Sequence, residues 1–258
     1  MSGRTWTRDE QLLALGLYYR LPFGQFHSRN PDVMSLARLL GRQPGAVAMK
    51  LVNFASLDPY HQMRGVSGLK NASQGDRKIW EEFHARWEDV ALESNLALQR
   101  LRQSPPADET ANILDETLFA PSVTEVEQLT RVRIGQQFFR SIVLASYGVR
   151  CCVCGMPVRD ILIASHIIAW RDNASLRVDP HNGLCLCAIH DKAFDRGLMT
   201  ISAKNYEVIL GNELRERINE PSVERSFSIY QALPISLPER HPPNREYLEW
   251  HRTHYFHE

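Results

Sequence analysis

The stretch CCVCGMPVRDILIASHIIAW, residues 151–170, decides how the rest of the chain is read. Cys151 and Cys154 form a C-x-x-C pair at a turn that Gly155 marks. The run ILIASHI that follows has the apolar character of a buried strand and carries His166 near its end. After a polar loop, RDNASLRVDPHNG, the strand-like GLCLC brings Cys185 and Cys187, and AIHDKAFDRG reads as the start of a short helix. Strand, loop, strand, helix is a ββα arrangement. It predicts that His166, Asn182, His190 and Asp191 converge on one point.

Working outward, 258 residues suffice for two ordinary domains, each with its own core. The formal net charge is zero, which argues against a protein that coats nucleic acid nonspecifically. Charge is uneven, however. Arginines stand at 131, 133, 140, 150 and 159 with no acidic residue between the first and the last, immediately before and through the cysteine cluster. No apolar run is long enough to cross a bilayer, and MSGRTWTRDEQ lacks the apolar core of a secretory signal, so a cytoplasmic location is expected. Thiols stay reduced there. Five cysteines, at 151, 152, 154, 185 and 187, therefore read as metal ligands or buried apolar residues and not as disulfides.

The fold class expected is α+β, mainly α, in three segments. Residues 1–101 form a helical domain. Thr7 is its first N-cap, ahead of RDEQLLALGLYYRL; DVMSLARLL ends at Gly41, and Pro44 opens GAVAMKLVNF. Helix, short turn, helix is the grammar of a helix-turn-helix-like DNA reader, with Arg42, Gln43 and Lys50 as its candidate DNA contacts. A tri-helical domain that touches no DNA fits the same pattern. A single long amphipathic helix is expected over KIWEEFHARWEDVALESNLALQRL. Residues 102–123 are proline-bearing and acidic and read as a linker. Residues 124–258 begin with the helix VEQLTRVRIGQQFFRSIVLASYG, on whose flanks Arg133 and Arg140 are further candidate DNA contacts. The ββα core falls at about 151–200, followed by a strand-like MTISAKNYEVIL and a short helix in the tail.

ASHI, then DPHNGLCLC, then HDKAFDRG resembles the HNH nucleases, and among them the bacterial restriction-type subgroup with an N-terminal helical domain. RVRIGQQFFRSIVLASYG and EYLEWHRTHYF are also similar to segments that accompany this subgroup. The resemblance covers roughly the C-terminal half. It implies a metal-dependent endonuclease that hydrolyses DNA phosphodiester bonds, in restriction or phage defence, with a divalent ion (Mg²⁺ or similar) as cofactor. His166 matches the general base, Asn182 the central asparagine that fixes the loop, and His190 the last histidine of the signature. Asp191, Asp195 and His190 are the candidate ligands of the catalytic ion. The sequence departs from the pattern at Ser165, where many members carry Asp or His as a metal ligand.

Cys151, Cys154, Cys187 and His190 also have the identity and spacing of a tetrahedral structural zinc site. Buried thiols are the alternative, and Cys152 and Cys185 are expected to point into packing. If His190 binds zinc it cannot serve the catalytic ion, and Asp191 takes that place. The competing function is a non-catalytic, zinc-stapled DNA-binding regulator, which Ser165 favours. DNA is the expected partner, no membrane is involved, and a homodimer would supply two active sites for a double-strand cut.

Overall fold

The computed structural model describes residues 4–22, 24–63, 72–103, 125–238 and 240–258. The expected linker, 102–123, lies outside the described residues apart from Arg102 and Gln103, which close a helix. The chain divides into two compact units, 1–137 and 138–258.

The first unit is helical: α1 (Arg8–Arg20), α2 (Pro31–Leu39), α3 (Pro44–Ala55), α4 (Pro59–Met63), α5 (Gln74–Ala85) and α6 (Trp87–Gln103). Thr7 caps α1 in a capping box, accepting from the Glu10 amide while the Glu10 carboxylate accepts from the Thr7 amide at 2.9 Å. Every residue from Glu10 to Tyr19 except Gly16 is buried, because α1 is packed against α2, α3, α5 and α6. The long helix expected after Lys78 is instead two helices. The break is at Arg86, whose φ of −147° and ψ of 61° are not helical. It lets Trp80 and Phe83 on α5 and Trp87 on α6 all reach the ring of Tyr19 on α1, at centroid distances of 5.9, 4.5 and 5.8 Å.

The second unit begins within α7 (Glu125–Ser146). Strands β1 (Leu162–His166) and β2 (Gly183–Cys187) pair antiparallel, Leu162 opposite Cys187 and His166 opposite Gly183. Helix α8 (Ala188–Asp195) starts directly after β2, completing the ββα order expected from the sequence. MTISAKNYEVIL is a hairpin and not one strand: β3 (Met199–Ile201) pairs with β4 (Val208–Leu210) around a polar SAKNYE turn. Short helices α9 (Asn212–Glu216) and α10 (Pro221–Ser226) follow, and α11 (Arg245–His254) is capped by Asn244, which accepts from the Glu246 amide at 2.8 Å. Strand β2 is buried at all five positions, as its unbroken apolar run requires. Its Leu184 and Leu186 join Phe139, Val143 and Leu144 of α7, Phe194 of α8 and the β3–β4 hairpin in one core.

Candidate metal centre and active site

The turn after α7 delivers two thiols. Gly155, at φ +72°, lets the chain reverse so that its amide donates to the Cys151 carbonyl at 2.9 Å. Cys187 ends β2 and His190 lies in the first turn of α8. The ligand atoms of Cys151, Cys154, Cys187 and His190 all lie within 4.8 Å of one another. Cys154 Sγ is 3.8 Å from Cys187 Sγ, and His190 Nδ1 is 3.2 Å from Cys187 Sγ and 3.6 Å from Cys151 Sγ. A tetrahedral ion with metal–sulfur bonds of about 2.3 Å sets its sulfur ligands about 3.8 Å apart. The donor set fits such an ion.

The imidazole is oriented for ligation. His190 Nε2 lies 2.8 Å from the Ser226 carbonyl oxygen, which can only accept. The ring proton therefore sits on Nε2, and the Nδ1 lone pair faces the sulfurs, the arrangement in which an outer carbonyl fixes a metal-binding tautomer. Contact with Cys187, then burial, pushes the Cys151 thiol up, and the same contact pulls Cys187 down, helped by His190 against burial. Cys152 and Cys185 stand outside the group. The Cys152 amide donates to the Cys185 carbonyl at 2.8 Å, both side chains lie in the core, and burial pushes the Cys185 thiol up to about 12.

His166, at the end of β1, is half-buried. Its Nε2 donates to the Arg177 carbonyl at 2.9 Å, so its proton too is fixed on Nε2. Nδ1 has no hydrogen-bonding partner among the described residues, and its lone pair is free to accept a proton. Burial holds the imidazole below its ordinary pKa, against the upward pull of the Arg177 carbonyl and of Asp195. The ring is therefore neutral near pH 7. Asn182 makes no hydrogen bond to it. Its Oδ1 accepts from the Ile168 amide at 2.8 Å, while its Nδ2 donates to the Ile168 and Leu176 carbonyls at 3.0 and 3.2 Å. Asn182 thus closes the loop that presents the Arg177 carbonyl.

Residues 151–202 match the model of a family described as HNH endonuclease. That segment belongs to the HNH endonuclease family. No curated protein matches the chain.

Within the HNH segment, α8 separates the candidate roles. His190 turns to the thiols, so it does not join His166 or the acidic residues, contrary to its expected place at the catalytic ion. Asp191, the next residue, is half-buried; burial and then Asp195 push its carboxyl up, and Ser165 and Lys192 oppose them. Asp195, one turn on, is likewise raised by burial, with Lys192 and His166 opposing. Burial here is partial, since Asp195 remains solvent-exposed. Ser165 Oγ is buried without a hydrogen bond of ordinary length. Among the described residues the thiol–imidazole group is the one cluster of three or more such ligands close enough to hold an ion.

The expected DNA contacts are placed unevenly. Lys50 is buried and pairs with Asp76 at 2.7 Å, so it does not face a ligand. Arg42 is also committed inward, to Glu10 at 2.8 Å and to the Thr5 carbonyl at 2.9 Å, with its guanidinium 4.2 Å over the Trp6 ring. Arg140 donates to the Leu162 carbonyl at 2.6 Å and so pins the start of β1. Gln43 and Arg133 are exposed. The carbonyls of Arg177 and Ser226 were not legible in the sequence, because a backbone acceptor leaves no mark on residue type. Lys50 did carry a signal against an outward role, since it shares the i, i+3, i+4, i+7 stripe with Val47, Leu51 and Phe54, all buried.

Proposed function

We propose that the chain is a metal-dependent endonuclease that hydrolyses DNA phosphodiester bonds, with His166 as general base. The observation that carries this reading is the fixed tautomer of His166: Nε2–H is committed to the Arg177 carbonyl and Nδ1 is open, on a ring that burial keeps neutral. Nδ1 accepts a proton from the attacking water, and the Arg177 carbonyl stabilises the imidazolium that results. Asn182 keeps that carbonyl in place through the loop it closes. Asp191 and Asp195, with Ser165 beside Asp191, are the side chains that would hold a divalent ion such as Mg²⁺. When bound, that ion stabilises the negative charge that builds on the phosphate and the leaving oxygen.

Cys151, Cys154, Cys187 and His190 hold a structural zinc ion in this proposal, since three sulfurs and one imidazole are the donors zinc prefers. Held by these four residues, such an ion would tie the first turn of α8 to the knuckle, and with it the position of Asp191. The helical unit binds DNA alongside, with Gln43 and Arg133 as contacts that remain open to solvent. The motif order and its flanking segments support restriction or phage defence as the setting, in which a homodimer would supply the second active site that a double-strand cut needs. Among the described residues no helix is long and apolar enough to cross a membrane.

The test is incubation of the purified chain with modified and unmodified phage DNAs across several divalent ions. Ion-dependent cleavage that a chelator stops is expected. Zinc-loaded protein that binds DNA but never nicks it, under any ion, makes the chain a regulator instead.

A further inference from the structure

The proposed base is held by a residue that lies outside the matched segment. Phe139, on α7, is buried, and its ring stacks on the His166 imidazole with centroids 3.9 Å apart and planes 12° from parallel. Trp170 meets the same imidazole edge-on, at 5.6 Å and 85°. Trp170 is itself fastened: Arg177 Nε donates to its carbonyl at 3.0 Å, and the Arg177 guanidinium lies 5.1 Å over its ring.

The strand partner of His166 makes room for the stack. Gly183 stands directly opposite His166 in the β1–β2 ladder. A Cβ at 183 would lie 2.5 Å from Val143 Cγ2, closer than carbon atoms tolerate, and 3.0 Å from Phe139 Cζ, a contact so tight that the ring would have to shift. The missing side chain is thus what lets α7 bring Phe139 against the imidazole.

Two restraints fix the orientation of a planar ring: one on its plane and one on rotation within that plane. The Arg177 carbonyl supplies the second by taking the Nε2 proton. We infer that Phe139 supplies the first, and is a positioning residue for the general base, with Gly183 as the opening that admits it. Without the stack, the imidazole is free to tilt off the Arg177 carbonyl, and the proton is then shared between Nδ1 and Nε2. A fraction of the rings presents N–H to the water and not a lone pair. This inference rests on the assignment of His166 as base.

The experiment uses the full-length, metal-loaded chain in two parts. First, ¹⁵N imidazole resonances of His166 are recorded without DNA in wild type, in Phe139→Leu, and in Val143→Ala. Val143→Ala loosens the same wall of α7, where it meets Gly183, and keeps the Phe139 ring. Second, kcat and KM are measured for DNA cleavage by each. Wild type and Val143→Ala are expected to show a single Nε2–H tautomer, and Phe139→Leu a mixture. In Phe139→Leu kcat falls on the order of 10- to 100-fold with KM little changed, since misplacing a reacting group costs rate and not affinity. Phe139→Met, which keeps more of the volume, gives the same readouts should the leucine variant fail to fold. An undisturbed tautomer in the folded variant, with a kcat loss no larger than that of Val143→Ala, overturns the inference. A wild-type chain that cuts no DNA removes the assigned function instead, whatever residue 139 does to the imidazole.

Discussion

His190 and Asp191 are neighbours on α8, yet they serve different groups: the imidazole turns to three thiols, while the carboxylate lies under the influence of Asp195 and Ser165. One helix turn thus joins a group that could hold a metal ion to the acidic side of the proposed active site. The two can be separated by substitution.

Asp191→Asn is expected to leave the metal content of the purified chain unchanged and to lower cleavage by on the order of 10- to 100-fold at a fixed Mg²⁺ concentration. His190→Ala is expected to do the reverse at the metal, releasing it. Metal analysis beside a cleavage assay checks both. Loss of bound metal in Asp191→Asn would contradict this division of roles.

Removal of the cluster metal should cost the second unit its fold. A structural zinc contributes on the order of 10 kcal/mol in small modules, more than most domains have in reserve. Cys187→Ser, or a strong chelator, is therefore expected to unfold 138–258 while the helical unit persists. Calorimetry should then show one transition where the loaded chain shows two. A chelated chain that melts as the loaded one does would make the cysteines mere packing.

Lys50 and Asp76 form a buried ion pair, Nζ to Oδ1 at 2.7 Å, with Gln11 also donating to Asp76 at 3.0 Å. Lys50→Met leaves the buried Asp76 carboxyl short of its cation, at a cost of about 3–5 kcal/mol. Adding Asp76→Asn removes the orphaned charge, keeps an oxygen to accept from the Ser73 amide that caps α5, and should recover part of that loss. Denaturant unfolding of the two variants checks it. A single variant as stable as wild type would show that solvent reaches Asp76.

His251 gives the second unit an acid sensitivity. Its Nε2 donates to the Phe194 carbonyl at 3.2 Å and its Nδ1 accepts from the Thr200 hydroxyl at 2.9 Å, so the buried ring is neutral. Burial holds its pKa down at about 4, against an ordinary 6.5. Between those values the unfolded chain binds the extra proton. Stability is therefore fully present above pH 6.5 and is lost as pH falls toward 4, by about 3 kcal/mol in all. His251→Gln should flatten that slope, as thermal melts from pH 7 to pH 4 can show. Parallel slopes for variant and wild type would contradict the assignment.

The ββα order and the grouping of three thiols with one imidazole were legible because each is written in residue type at fixed spacing. C-x-x-C, then Cys187 and His190 three apart, leaves few ways to close a tetrahedron, and the apolar runs ILIASHI and GLCLC announce two short strands. The break at Arg86 was not legible, since arginine is an ordinary helix residue and the interruption answers to the packing of three aromatic rings on Tyr19. The inward turn of Arg42 is equally a matter of tertiary context: Glu10 and Trp6, distant in sequence, claim it. The stack of Phe139 on His166 needs α7 to pass over Gly183, a contact between segments that no local pattern records.

In the proposed reaction the open Nδ1 of His166 removes the proton from the attacking water. The most direct measurement is DNA cleavage by His166→Ala, with DNA binding and bound metal followed on the same protein. The expected result is a loss of cleavage on the order of 10²- to 10⁴-fold, with affinity for DNA and metal content held at wild-type values. Cleavage at the wild-type rate by the folded, metal-loaded variant would contradict it.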